Sequence, residues 1–204
     1  MKILVTGIST EVGKTMVSAI IVEALGADYW KPVQAGDLNN SDSHKVARLI
    51  SNKKSTIHPN CYALKTPMSP HAAAKIDGVH ISLDKIVEPD TDNHLVIEGA
   101  GGLLVPLNDQ NTIFDLIKPD YKVVLVSRHY LGSINHTLLS INALQSSGIR
   151  PGIIFSGDEN PSTERIILKK TKVPLLGRID EQKRFTKQVV SLYAKRLAPK
   201  LLSW

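Results

Sequence analysis

The chain has 204 residues, with 25 Lys and Arg against 19 Asp and Glu, a formal net charge of +6, and 42% hydrophobic residues. That length buries a substantial core without disulfides or metals, and the lone Cys61 excludes an intramolecular disulfide and any cysteine zinc cluster. No apolar run approaches a membrane span. The start Met1-Lys2-Ile3-Leu4-Val5-Thr6-Gly7 breaks too soon for a signal peptide, so no membrane partner and a cytoplasmic location are expected. The positive balance fits a site for polyanionic small molecules. It fits nucleic acid too, but Lys53-Lys54, Lys169-Lys170-Lys172 and Lys183-Arg184-Lys187 have no interleaved aromatic residues. Those runs are expected to be solvated helix faces and termini, with no nucleic-acid partner.

The apolar run Ile3-Leu4-Val5 leads into Gly7-Ile8-Ser9-Thr10-Glu11-Val12-Gly13-Lys14-Thr15 and then into a helical pattern from Met16 to Leu25. Strand, glycine-bounded loop and helix in that order predict a phosphate-binding P-loop. Backbone N–H groups wrap a polyphosphate there, and the helix N-terminus adds its partial positive charge. Thr10, Glu11, Val12, Gly13, Lys14, Thr15 and Met16 are the candidate ATP contacts. Lys14 falls at the β/γ-phosphates and Thr15 offers a hydroxyl to Mg²⁺. Five residues separate Gly7 from Gly13, one more than in the common form of the motif.

Asp28 to Gly36 reads as a short strand closed by Lys31-Pro32, which confines it to a sheet edge or a strand end. Lys31 then stands where open α/β sheets place their ligands, although a lone lysine is usually just a surface residue and this pattern alone does not single it out. Ser41 or Asp42 caps a helix running to Ile50; Asp42 is either a plain cap or a carboxylate near the metal. Thr66 to Lys75 is a loop entering a helix with Pro70 in its first turn, and His71 beside it is a ligand contact or merely a polar residue. His94-Leu95-Val96-Ile97-Glu98 is a strand ending in one carboxylate before the loop Gly99-Ala100-Gly101-Gly102, the companion pattern to a P-loop, with Glu98 directed to Mg²⁺. Further on, Ile113–Ile117 is a short helix, Lys122–Ser127 a valine-rich buried strand, Ile134–Ser147 a helix ended by Gly148, Pro151–Ser156 and Val173–Ile179 strands, and Lys183–Leu197 a closing helix. Strands alternating with helices predict an α/β, single-domain P-loop NTPase-like fold over residues 1–204, a parallel sheet with helices on both faces.

Several stretches together resemble the dethiobiotin synthase family. They are the Gly-x5-Gly-Lys-Thr loop with Thr10-Glu11-Val12, Lys31-Pro32-Val33, Ser41-Asp42, Thr66-Pro67-Met68-Ser69-Pro70-His71, Glu98-Gly99-Ala100-Gly101-Gly102, Leu131-Gly132-Ser133-Ile134-Asn135-His136 and Pro174-Leu175-Leu176-Gly177. The resemblance implies an ATP- and Mg²⁺-dependent ring closure. One amine of 7,8-diaminononanoate takes up CO₂ as a carbamate, whose oxygen attacks the γ-phosphate of ATP; the second amine then displaces phosphate to give dethiobiotin. Carried over by position, Lys14 and Lys31 are the catalytic cations, and Thr15, Asp42 and Glu98 hold Mg²⁺. Thr10, Glu11, Lys31, Ser69, Gly99, Ala100 and Gly101 border the diamine, with Gly132, Ser133 and Asn135 near its carboxylate end. A homodimer with the substrate site at the subunit interface is implied too.

Four places depart from the family pattern: Ile8-Ser9 for a Thr-Asp pair, Ala35 for a serine, Ser156 for an asparagine that reads adenine, and the unalignable Asp158–Pro161. The alternative reading is a partner-regulated dimeric ATPase switch of the partitioning type. That group carries a second lysine early in its P-loop, where this chain has Ile8-Ser9-Thr10.

Overall fold

The computed structural model describes residues 1–204. Seven parallel strands form the main sheet: β1 (Lys2–Gly7), β2 (Asp28–Trp30), β4 (Ile57–His58), β6 (Leu95–Gly102), β7 (Tyr121–Arg128), β8 (Gly152–Ser156) and β9 (Leu175–Ile179), in the order β4-β2-β6-β1-β7-β8-β9. A small parallel pair joins β3 (Val33–Ala35) to β5 (Tyr62–Leu64). Six α-helices complete the chain: α1 (Lys14–Leu25), α2 (Asp42–Leu49), α3 (Pro70–Ile76), α4 (Ser133–Ser146), α5 (Pro161–Thr171) and α6 (Lys187–Ser203).

The connections β1-α1-β2 and β7-α4-β8 run in opposite directions along the sheet. Right-handed crossovers therefore put α1 on one face and α4 with α5 on the other. The final helix α6 returns to pack on α1, and α2 lies beside both. The crevice where the crossovers diverge is at the C-terminal ends of β1 and β7, the place such sheets reserve for ligands. The strands β1 and β7 are buried almost throughout, which is why they read as continuous apolar runs.

Four expectations need correction. The Asp28–Gly36 strand is two strands in two sheets, because Pro32 has no N–H to continue a ladder; its carbonyl instead accepts from Cys61 and Tyr62 at 2.9 and 3.0 Å. Of the two places that Pro32 allows, an edge or a strand end, β2 takes the second: β4 lies outside it, and Lys31 follows the strand end as expected. The strand of Glu98 does not stop there: β6 continues to Gly102, and between the pairs Val5↔Glu98 and Gly7↔Gly102 two steps on β1 meet four on β6. The glycine segment is thus a bulge within a paired strand rather than a free loop. Finally, the closing helix starts at Lys187, where the Thr186 side chain accepts from Val189 N–H, and it runs past Leu197 to Ser203 with Pro199 inside. The helix α5 was not expected at all.

Candidate active site

The P-loop folds with two residues in the left-handed region, Glu11 at φ 55° and Gly13 at φ 94°. At Gly13 a side chain is excluded twice over: the φ disfavours it, and a Cβ would meet Ser156 Oγ at 2.9 Å. Glu11 absorbs a left-handed turn without being glycine, and the longer spacer closes onto the start of α1. The Val12 side chain is buried in the core, so this member of the loop turns inward while Thr10, Glu11, Gly13, Lys14, Thr15 and Met16 face a cleft of about 710 Å³.

Into the same cleft come Lys31 from the end of β2, Asp42 from the first turn of α2, Glu98 from β6, Ala100 and Gly101 from the bulge, and Ser69 at the cap of α3. Ser41 caps α2 by accepting from His44 N–H, which leaves the Asp42 carboxylate free to face the cleft. Lys31 is the centre of the arrangement. Its Nζ lies 2.7 Å from Asp42 Oδ2 and 3.0 Å from Glu98 Oε1, and Thr15 Oγ1 donates to that same Glu98 oxygen at 2.9 Å. Burial alone pulls the Lys31 ammonium toward neutrality, but Glu98 and then Asp42 outweigh it and its pKa is raised. For Asp42 burial pulls upward, Lys31 overcomes it, and the pKa is lowered. Both groups are therefore held charged.

Lys14 is different. Only 7% exposed, it has no carboxylate partner and donates to the Ser9 carbonyl at 3.0 Å. Burial pulls its pKa down to about 8, Glu98 offsets part of the fall, and the charge of Lys31 adds to it. An under-compensated cation at the head of a helix is a ready receptor for phosphate.

The fit to Mg²⁺ rests on donor chemistry. No group of three His, Cys, Asp or Glu side chains is assembled anywhere in the chain. Two carboxylates do converge on the Lys31 ammonium, and the Thr15 hydroxyl joins the Glu98 one. A small hard cation that keeps phosphate and water oxygens needs few protein ligands, and Thr15, Asp42 and Glu98 fit that demand.

Other expected residues lie elsewhere. Gly99 is part of the bulge but does not line the cleft; its carbonyl lies 3.5 Å from Lys31 Nζ. Gly132, Ser133 and Asn135 lie at the start of α4, outside the cleft; Ser133 is buried and Asn135 exposed. His71 stays exposed beside α3. Three residues not singled out beforehand belong to the site. Gln34 accepts from Asp42 N–H at 3.3 Å; Lys45, one turn along α2, reaches Asp42 Oδ1 at 3.3 Å; Tyr29 donates to Glu98 Oε2 at 2.9 Å. The i, i+3 spacing of Asp42 and Lys45 was a readable signal for the second of these. A second cleft of about 700 Å³ shares Met16 and Lys45 with the first and is bordered by Arg48, Lys183, Arg184 and Lys187. The basic run at 183–187 keeps Lys183, Arg184 and Lys187 exposed, as expected, and also rims this cleft next to the P-loop.

Among solved structures, the MinC:MinD cell division protein complex of Aquifex aeolicus superposes with a TM-score of 0.62 at 17% identity, covering 100% of this chain and 96% of that one. A ParA family ATPase from Chlorobium tepidum gives 0.56 at 13% identity, covering 99% and 96%. These likenesses establish the P-loop fold. The family model of an AAA domain matches residues 1–189. A curated protein of Christiangramia forsetii is 62% identical over 198 residues, covering 97% of this chain and 96% of the relative, and one of Cytophaga hutchinsonii is 53% identical over 199 residues, covering 96% of each. Both are named ATP-dependent dethiobiotin synthetase BioD, as is a Chlamydia pneumoniae protein 41% identical over 96% of this chain and 88% of its own length. With the P-loop, the buried lysine and its two carboxylates all in one cleft, and identity of this order along nearly the whole length, the chain belongs to the ATP-dependent dethiobiotin synthetase family.

Proposed function

We propose that this chain closes the ureido ring of dethiobiotin from 7,8-diaminononanoate, CO₂ and ATP, with the cleft at the P-loop as its active site. The observation that carries the reading is Lys31, a buried cation held charged by two carboxylates at the mouth of a phosphate loop. Such a reaction gathers negative charge where a carbamate meets a phosphoryl group, so it needs placed cations more than a nucleophile. Lys14 neutralises the β/γ-phosphates and Lys31 the carbamate and transferring phosphoryl oxygens. Thr15, Asp42 and Glu98 would hold Mg²⁺, which supplies further charge neutralisation at the phosphates. Thr10, Glu11, Ser69 and the Ala100-Gly101 bulge border the diamine and keep both amines on the side of Lys31. Met16 and the adjoining cationic cleft mark the side on which the nucleoside leaves the P-loop.

The exposed Leu104, Leu131, Ile134 and Leu139 support a homodimer. Leu131 and Ile134 flank Gly132, Ser133 and Asn135 in the chain, and none of these three lines the cleft of its own chain. In a two-fold dimer that patch meets its own copy, and these three residues close the partner's site around the carboxylate end of the diamine. A cytoplasmic location fits this reading.

The test is ADP release by the purified protein, omitting diamine and bicarbonate in turn and repeating with Lys31→Ala. Release that needs both compounds and collapses in the variant is expected. Turnover indifferent to the diamine contradicts the reading and favours the partner-regulated ATPase switch, whose fold this chain shares.

A further inference from the structure

Tyr29 is fully buried, and its hydroxyl has one partner, Glu98 Oε2 at 2.9 Å. The sheet brings them together. Tyr29 lies opposite Val96 in the β2–β6 ladder, and Glu98, two residues further along β6, projects from the same face. An aromatic side chain is long enough to span such a diagonal. The second oxygen, Oε1, accepts from Thr15 at 2.9 Å and from Lys31 at 3.0 Å. The two oxygens of one carboxylate are thus divided, one turned into the core and one toward the cleft. A buried phenol demands a hydrogen-bond partner, and here the demand fixes the torsion of the carboxylate.

We propose that Tyr29 is a positioning residue for the nucleotide-bound cation: by holding Oε2, it presents Glu98 as a ligand through one oxygen, Oε1. The proposal rests on the reading of Glu98 as a cation ligand given above. Mg²⁺ demands near-octahedral geometry and Mn²⁺ takes octahedral oxygen sites too, whereas Ca²⁺ accepts flexible geometry and two-oxygen carboxylates. Freeing Oε2 therefore costs the small ions affinity and spares the large one, a split that a merely structural tyrosine does not produce.

The experiment titrates the ADP complexes of the parent, Tyr29→Phe, Glu98→Gln and the double variant with Mn²⁺, followed by electron paramagnetic resonance, and with Ca²⁺ in competition. Tyr29→Phe keeps the ring volume, and melting curves follow its folding. Mn²⁺ affinity is expected to fall about 10-fold, Ca²⁺ affinity to fall far less, and the Mn²⁺ effect to vanish in the Glu98→Gln background. If Glu98→Gln weakens Mn²⁺ but Tyr29→Phe does not, or if both ions weaken equally, Tyr29 is only core and the proposal is overturned while the cation reading stands. If Glu98→Gln leaves Mn²⁺ binding unchanged, both fall. A second measurement keeps the hydroxyl in place. In 3-fluorotyrosine-labelled protein the ¹⁹F resonance of Tyr29 moves when Mg²⁺ joins the ADP complex; a static resonance overturns the proposal.

Discussion

Removing the charge of Lys14 is expected to stabilise the ligand-free protein. Burial lowers its pKa from 10.5 to about 8, and at about 1.4 kcal/mol per pH unit keeping the ammonium charged in the fold costs ~3 kcal/mol. Lys14→Met retains the stem but loses the bond to the Ser9 carbonyl, worth about 1 kcal/mol. The net gain at pH 7 is therefore about 2 kcal/mol, which raises the melting temperature by roughly 4–8 °C in a chain of this size. The sign fixes the pH window. With a folded pKa below the unfolded one, the cost is fully present below pH 8. It is relieved as pH climbs from there toward 10.5, because the folded protein gives up the proton first. Thermal scans of both proteins from pH 6.5 to 10 check this: the advantage of Lys14→Met shrinks with rising pH, while its nucleotide binding is lost at every pH. A variant no more stable than the parent at pH 7, or an advantage independent of pH, refutes the argument.

Lys31→Met acts in the opposite direction. It leaves Asp42 and Glu98 together without their shared cation, a loss of about 3–5 kcal/mol read by denaturant unfolding, and added Mg²⁺ restores part of it. Because the Asp42 pKa is lowered mainly through Lys31 acting against burial, this ion pair contributes above the unfolded carboxylate pKa. The gap between parent and variant narrows as pH falls through the folded one. Gly13→Ala puts a methyl group at φ 94° and against Ser156; a destabilisation of about 1–2 kcal/mol and a loss of ADP binding by calorimetry are expected. Leu131→Asp, at a fully exposed position, is expected to leave each chain folded while light scattering reports a monomer, the melting temperature falls and loses its dependence on protein concentration, and dethiobiotin formation stops.

How much of this was legible in the sequence depends on the range over which each feature is encoded. The P-loop was readable because a strand, a glycine boundary and a helix start impose its backbone locally. The places of Lys31, Asp42 and Glu98 on the chain were readable for the same reason, but local pattern left Lys31 and Asp42 open between surface or cap and ligand, and only the family resemblance gave those two their roles. What depends on pairing between distant segments was not readable. The split of Asp28–Gly36 needs β5, a strand nearly thirty residues away, and the continuation of β6 through its glycines needs β1 to pair across a bulge. Tyr29 reads as an ordinary strand aromatic until the register places it diagonally across from Glu98. The helix α5 carried a readable cap, with the Asn160 side chain accepting from Thr163 N–H and Pro161 in the first turn. Only Glu164 and Ile167 of that helix are buried, however, so its apolar face was too thin to announce it.

The central claim is that this chain builds the ureido carbonyl from CO₂, and the most direct measurement follows that carbon. Purified protein is incubated with ATP, Mg²⁺, 7,8-diaminononanoate and ¹³C-bicarbonate, and the product is analysed by mass spectrometry. Dethiobiotin heavier by one mass unit in its ureido carbonyl, formed in step with ADP and absent with Lys31→Ala, is the predicted result. ADP formed without labelled dethiobiotin contradicts the account.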